Sequence, residues 1–197
     1  AWKYVFQQYH LDLPLEAWAF TLGTREEHFD GCSIIENATN RVVDRNRILY
    51  QKNKKAKELL VKQKILPGVR EHLTRAKTLG MKLGIASSSN RTWVIDHLTR
   101  LGLLMYFDSI TSSDDVNRTK PEPDLYLHSL NELGVESSNA LAYEDSPNGI
   151  RAAQAAGIKC VAIPNRISVK MDVRMADLVI DSLAITSLDD ILHHFSI

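Results

Sequence analysis

The sequence predicts an α/β fold: a doubly wound, Rossmann-like core with a parallel sheet, accompanied by a small helical domain. Two observations lead to this prediction. From Leu66 onward, short apolar segments of strand length alternate with segments of helix length, an order typical of parallel sheets covered by helices on both faces. Before Leu66 the chain contains helical segments and no convincing strand.

The first 66 residues are predicted to form the helical domain. Short helices are expected at residues 1–10 and 14–21 and within residues 25–37, followed by a longer helix over residues 44–63. The long helix is expected to place Leu49, Ala56 and Leu60 on one apolar face. The lysines in and just after it are interpreted as a solvated face rather than a nucleic-acid patch, because acidic residues elsewhere cancel their charge; they are Lys52, Lys54, Lys55, Lys57, Lys62 and Lys64.

The second part, residues 67–197, is predicted to be the α/β core. Strands are expected over residues 82–86, 109–112, 140–143, 159–163 and 178–180, and helices over residues 69–79, 92–101, 123–133, 147–156 and 188–195. Glycine suits the left-handed conformation that commonly ends a helix, and it follows these helices at Gly80, Gly102, Gly134 and Gly157.

The bulk composition is that of a folded protein without a strong net charge. The chain has 197 residues, 44% of them hydrophobic, and its 24 basic residues balance 24 acidic ones. This balance argues against nucleic acid or an anionic membrane as a partner, and no apolar run is long enough to predict a membrane span. The two cysteines, Cys32 and Cys160, form no Cys-x-x-Cys pair, which fits a reducing, cytoplasmic location.

In doubly wound sheets, ligands bind at the carboxyl ends of the strands. The loop after the first predicted strand contains Ser87, Ser88 and Ser89 and precedes a helix. Hydroxyl groups, free backbone N–H groups and the helix dipole together favour an anion such as phosphate. The same residues are also compatible with an ordinary serine-rich turn that caps the helix.

The loop after the second predicted strand carries Lys120 in the segment Lys-Pro-Glu-Pro-Asp. Pro121 favours an extended backbone at Lys120, and Pro123 suits the first turn of the next helix. A lysine held there can neutralise a phosphate and a nearby carboxylate. The alternative is a surface lysine in a proline-rich turn.

The loop after the third predicted strand begins with two adjacent acids, Glu144 and Asp145. Ser146 and Pro147 are predicted to be the N-cap and first residue of the following helix. Carboxylates at a crevice are costly unless they are paired or bind a cation, and hard oxygen ligands beside a phosphate site favour Mg²⁺. Alternatively, one acid caps the helix and the other faces water. Gly149 inside the helix suggests close packing there.

The three loops resemble motifs II, III and IV of the haloacid dehalogenase-like superfamily. The resemblance rests on Ile-Ala-Ser-Ser-Ser at residues 85–89, Lys-Pro-Glu-Pro-Asp at 120–124 and Glu-Asp-Ser-Pro-Asn-Gly at 144–149. The helical first half is similar to the small cap of subfamily IA, in the group of β-phosphoglucomutase and related sugar-phosphate phosphatases. The resemblance implies a cap over residues 1–66 and a core over residues 67–197.

The resemblance also implies roles for individual residues. Ser87 would bind the transferring phosphoryl group, with Ser88 and Ser89 nearby. Lys120 would hold the phosphate and an aspartyl nucleophile, and Asp145 with Glu144 would bind Mg²⁺. Catalysis would pass through an aspartyl-phosphate, a covalent route known for carboxylate nucleophiles. The helical cap would exclude water and select a small phosphorylated metabolite, a sugar phosphate being expected.

The sequence departs from the family at its first motif, because Asp-x-Asp occurs nowhere in these 197 residues. We therefore expect the nucleophile and the acid catalyst to lie on a strand within roughly twenty further residues that precede Ala1, and these residues alone to be inactive. Arg25 in the cap is a candidate for substrate binding, although a role at a helix start is the alternative. A phosphomutase, a non-catalytic phosphate-binding module and a metal-independent dehalogenase remain alternatives.

Overall fold

The computed structural model describes residues 1–24 and 28–196. These residues separate into two compact units. Among the described residues, the first unit contains residues 1–21 and 28–64, and the second contains residues 22–24 and 65–196.

In its described residues, the first unit contains four α-helices: α1 (Trp2–Gln8), α2 (Leu15–Phe20), α3 (Gly31–Thr39) and α4 (Arg45–Val61). Aspartates begin the last two, since the side chain of Asp30 accepts a hydrogen bond from Ser33 N and that of Asp44 from Arg47 N. An aromatic and aliphatic cluster forms the core of this unit; its buried members are Trp2, Val5, Phe6, Phe29, Cys32, Ile35 and Ile48.

Helix α4 buries a different face from the predicted one. Ile48 and Lys52 are its buried residues, whereas Leu49 is 42% exposed. The prediction that all six lysines are solvated is also wrong, because Lys52 is only 6% exposed. Its ammonium lies 5.8 Å from the ring centroid of Trp2, where the π face attracts a cation. Burial lowers the pKa of Lys52.

In the described residues of the second unit, five strands form two separate groups, each of them parallel. One group pairs β1 (Gly84–Ala86) with β2 (Ser109–Thr111), and the other has the order β3 (Leu141–Glu144), β4 (Lys159–Ala162), β5 (Leu178–Val179). The register aligns Ala86 with Thr111 and Glu144 with Ala162, so the carboxyl ends of paired strands coincide.

The helices of the second unit alternate with these strands. They are α5 (Val69–Thr78), α6 (Arg91–Leu101), α7 (Asp124–Leu133), α8 (Pro147–Ala155) and α9 (Leu188–Phe195). Gly80, Gly102, Gly134 and Gly157 all follow helices with positive φ, as the sequence predicts. Helix and parallel strand in alternation confirm the doubly wound α/β class.

Helix α7 joins the two groups of strands. It approaches β1 so closely that a Cβ on Gly84 would lie 2.6 Å from Ser129 Oγ. On the other side, Tyr126 and Leu130 of α7 pack in one cluster with residues of β3, β4 and α8, among them Ala142 and Ile150. The two groups of strands are therefore connected through a shared apolar core.

In the part of the chain that the structure describes, every helix is too short or too polar to cross a lipid bilayer.

Truncating a buried side chain of this cluster should destabilise the second unit. Ile150 is fully buried, so Ile150→Ala should lower the free energy of unfolding by about 2–5 kcal/mol. Ile185 is 77% exposed, and Ile185→Ala should change it by less than about 0.5 kcal/mol. Urea unfolding of both variants measures the difference; equal losses would contradict the position of Ile150 in the core.

Candidate active site

The serine-rich loop follows β1 directly. The backbone N–H of Ser87 donates to the Thr111 carbonyl at 2.9 Å, extending the β1–β2 pairing by one residue. Ser87 Oγ accepts from the N–H of Ser89 at 3.2 Å, which folds the turn. The cap of α6 comes from Asn90, whose Oδ1 accepts from Trp93 N at 2.8 Å. The serines are therefore not needed as the cap of this helix, and the hydroxyl group of Ser87 sits at the strand end.

A short segment around Gly23 packs on the first and third loops within the second unit. Ser88 Oγ donates to the Gly23 carbonyl at 2.6 Å, and Asn148 Nδ2 donates to the Leu22 carbonyl at 2.9 Å. Gly23 has φ +81°, and a Cβ there would lie 2.4 Å from Ser146 Oγ. Only glycine satisfies both the conformation and the close approach. The serine loop and the acidic loop therefore meet the same glycine.

Lys120 is buried in the crevice and paired with Glu144 at the end of β3. Its Nζ donates to Glu144 Oε1, and the hydroxyl of Tyr126 donates to the same oxygen. The ammonium also lies 5.0 Å from the ring centroid of Tyr126. Burial, followed by the negative charge of Glu144, raises the pKa of Tyr126 well above its usual value. The phenol therefore stays protonated and serves as a hydrogen-bond donor.

Gly149 makes room for the carboxylate of Glu144. A Cβ at Gly149 would lie 1.8 Å from Glu144 Oε2, although the backbone there is helical. The N–H of Gly149 donates to Ser146 Oγ at 3.2 Å, so Ser146 is the N-cap and Pro147 the first residue of α8, as predicted. The first turn of α8 therefore lies against the carboxylate of Glu144, and a residue larger than glycine at position 149 would enter the space of that carboxylate.

Asp145 differs from its neighbour in being exposed. Its Oδ2 accepts a hydrogen bond from Asn165 Nδ2 at 2.8 Å. The described residues contain no group of three or more His, Cys, Asp or Glu side chains placed to hold a metal ion. Mg²⁺, however, is commonly held by one or two protein carboxylates together with substrate phosphate oxygens. An exposed carboxylate at a strand end fits that mode of binding, while Glu144 is occupied by Lys120 and Tyr126.

The packing next to the Lys120–Glu144 pair is apolar. The thiol of Cys160 in this packing is uncharged. Cys160 of β4 is fully buried, and burial, with a further contribution from the charge of Glu144, raises the pKa of its thiol to about 12. The thiol is therefore protonated and acts as a small apolar side chain. This packing leaves the Lys120–Glu144 pair in a poorly solvated environment.

Sequence reasoning missed three residues of the site. Asn165 follows β4, and reading the carboxyl end of that strand as the other three were read would have pointed to it. Gly23 and Tyr126 carry no sequence signal of their own, because their roles depend on neighbours far away in the chain. Arg25 lies outside the described residues.

The fold and the site define a class of protein: a doubly wound α/β protein with hydroxyl, lysine and carboxylate groups at successive strand ends. The chain matches the haloacid dehalogenase-like hydrolase family over residues 1–163. Since that match covers most of the chain, the protein belongs to this family, in subfamily IA with the β-phosphoglucomutase-like enzymes.

Individual relatives agree with this membership. YhcW of Bacillus subtilis (strain 168), provisionally described as a phosphatase, is 34% identical over 192 residues, which cover 98% of this chain and 87% of that protein. The phosphorylated carbohydrates phosphatase of Thermotoga maritima is 36% identical over 115 residues, covering 58% of this chain and 52% of that protein. Among solved structures, β-phosphoglucomutase from Clostridium difficile matches with a TM-score of 0.78 and 25% identity, covering 99% of this chain and 87% of that chain.

Gly149→Ala should destabilise the protein although alanine is the better helix former. In a helix interior the change normally gains about 1 kcal/mol. Here the methyl group meets the Glu144 carboxylate, so we expect a loss of about 1–3 kcal/mol in the free energy of unfolding. Urea unfolding monitored by circular dichroism measures this loss.

A double-mutant cycle isolates the contact. In a Glu144→Ala background the carboxylate is gone, and Gly149→Ala should no longer destabilise. A stabilising effect of Gly149→Ala in the wild-type background would show that the two groups do not compete for space.

Proposed function

We propose that the protein is a Mg²⁺-dependent phosphatase that hydrolyses a phosphomonoester of a small metabolite, most simply a sugar phosphate. The observation that carries this proposal is the buried Lys120–Glu144 pair at the end of β3, where Asp145 follows directly and where Gly23 links the acidic loop to the serine loop. A cation fixed in a poorly solvated crevice stabilises negative charge far better than an exposed lysine does. Phosphoryl transfer needs such stabilisation, because the transferring group carries its charge on several oxygens.

Each loop has a part in binding the phosphoryl group. The hydroxyl of Ser87 and the backbone N–H of Ser88 donate to its oxygens, and the positive end of the α6 helix dipole favours the negative charge. Lys120 has three N–H donors, one of which is used by Glu144. The others remain for the phosphoryl group and for the attacking carboxylate. Glu144 keeps the ammonium in place.

The metal would be held by the exposed carboxylate of Asp145, together with acidic ligands outside these residues. Mg²⁺ at this position would supply positive charge between the nucleophile and the phosphate. Glu144, proposed from the sequence as a second ligand, would act mainly through Lys120, because its Oε1 already accepts two hydrogen bonds.

The nucleophile of the proposed reaction is an aspartate of an Asp-x-Asp motif, which these residues do not contain. Its carboxylate oxygen would attack phosphorus while the P–O bond to the substrate breaks, and the second aspartate would protonate the leaving oxygen. Water would then cleave the aspartyl-phosphate to inorganic phosphate. Among the described residues β1 pairs only with β2, and β3 only with β4, so each has an edge on which such a strand could pair.

The relatives support a sugar phosphate as the substrate class. The Thermotoga maritima relative is named for phosphorylated carbohydrates. A second candidate function is phosphoglucomutase-type transfer to another hydroxyl group, favoured by the likeness to the Clostridium difficile β-phosphoglucomutase structure.

A screen of phosphorylated metabolites with the full-length protein tests the proposal. We expect release of inorganic phosphate from at least one sugar phosphate, lost on addition of EDTA and restored by Mg²⁺. Isomerisation of the sugar phosphate that requires a sugar bisphosphate would establish the mutase instead. Phosphate binding without turnover of any compound would establish a non-catalytic module and refute both.

Asp145→Asn in the full-length protein should raise the Mg²⁺ concentration needed for half-maximal activity and lower kcat sharply. One hard anionic ligand is lost, while the size of the side chain is kept. A Mg²⁺ titration of initial rates measures the change, and a titration curve identical to that of the wild type would show that Asp145 is not a ligand.

Lys120→Met should remove most of the activity and lower the free energy of unfolding by about 3–5 kcal/mol, because Glu144 would keep a buried, unpaired charge. Lys57→Ala, which changes an exposed lysine of α4, should alter neither quantity. Rate assays and urea unfolding measure both.

The double variant Lys120→Met with Glu144→Gln separates the two effects. Without the lone carboxylate, stability should largely recover, whereas activity should not. If Lys57→Ala cost as much activity as Lys120→Met, the assignment of the lysine motif would be wrong.

A further inference from the structure

The loop that follows β4 brings an amide side chain to the carboxylate of Asp145. Asn165 Nδ2 donates to Asp145 Oδ2 at 2.8 Å, across 20 residues of sequence. The contact joins the ends of two neighbouring strands, β3 and β4. Nothing in the family motifs of the three loops includes this asparagine.

The loop itself fixes the orientation of the Asn165 side chain. Its Oδ1 accepts from the backbone N–H of Ile167 at 2.8 Å and of Ser168 at 3.1 Å. An amide oxygen that accepts two N–H groups cannot exchange places with the amide nitrogen, because the nitrogen has no acceptor capacity. The NH₂ group must therefore point to Asp145.

The backbone of the same residue is anchored to a buried side chain. The N–H of Asn165 donates to Ser168 Oγ at 2.9 Å, and Ser168 is fully buried. The loop thus holds Asn165 through its backbone N–H and its side-chain oxygen, both within the loop, and leaves the NH₂ group to donate to the carboxylate. Side chains that are locked in this way are suited to hold a partner in one orientation.

We infer that Asn165 is a positioning residue for Asp145: its amide holds one carboxylate oxygen so that the other is directed to the divalent cation of the phosphoryl-transfer site. The inference rests on the proposed function, in which Asp145 is a metal ligand. Hydrogen bonds to metal-ligating carboxylates orient them, and losing such a bond typically weakens metal affinity by about 10–100-fold.

Two substitutions separate a positioning role from a purely structural one. Asn165→Ser keeps an oxygen that can accept the N–H groups of the loop but has no amide to reach Asp145. Asn165→Ala removes both. Val169→Ala, at an exposed position of the same loop, is the matched control.

The measurement is Mg²⁺ binding by calorimetry to the full-length protein, with thermal unfolding in EDTA as a separate readout. We expect both Asn165→Ser and Asn165→Ala to weaken Mg²⁺ binding by about 10–100-fold, with Val169→Ala unchanged. The midpoint of unfolding in EDTA should fall for Asn165→Ala and stay near the wild-type value for Asn165→Ser. In an Asp145→Asn background, Asn165→Ser should have no further effect on Mg²⁺ binding.

The possible failures are distinguishable. If Asp145→Asn binds Mg²⁺ as the wild type does, the ligand assignment in the proposed function fails. If Asp145→Asn loses Mg²⁺ binding while Asn165→Ser keeps wild-type affinity, the ligand assignment stands and the positioning role of Asn165 is refuted.

Discussion

The buried ion pair between Lys120 and Glu144 is the interaction on which the rest of the site depends. Two charges removed from water require close pairing and further hydrogen bonds, and Tyr126 supplies one of these to the carboxylate. The requirement extends to Gly149, since any side chain there would enter the space of the acid. A glycine within a helix and a tyrosine on another helix are thus both consequences of a single buried charge.

The two adjacent acids at the end of β3, Glu144 and Asp145, have different surroundings and different partners. Successive side chains of a strand point to opposite faces, so one carboxylate enters the core and the next reaches the surface. The buried one holds a lysine, and the exposed one meets an asparagine from the neighbouring strand end. Two carboxylates that are neighbours in the sequence therefore have different roles in the structure.

Apolar periodicity predicted all five strands and the helices of the core, with boundaries shifted by only a few residues. The strand-end rule also proposed Ser87, Lys120, Glu144 and Asp145 as candidates for the site. The sequence did not predict which side chains would pair. Lys120 and Glu144 are 24 residues apart, and the residues next to either one do not indicate that they are in contact. The buried face of α4 was mispredicted because Lys52 occupies a core position, where its ammonium lies over the ring of Trp2.

The segment at Leu22 and Gly23 contacts the core loops through main-chain carbonyl groups, while Ser88 and Asn148 provide the donors. Every residue has a carbonyl, so the identity of residue 22 is free to vary without loss of these bonds. The segment can therefore carry a different side chain at position 22 while its attachment to the core loops persists. The one position without that freedom is Gly23, where the backbone conformation and Ser146 exclude other residues.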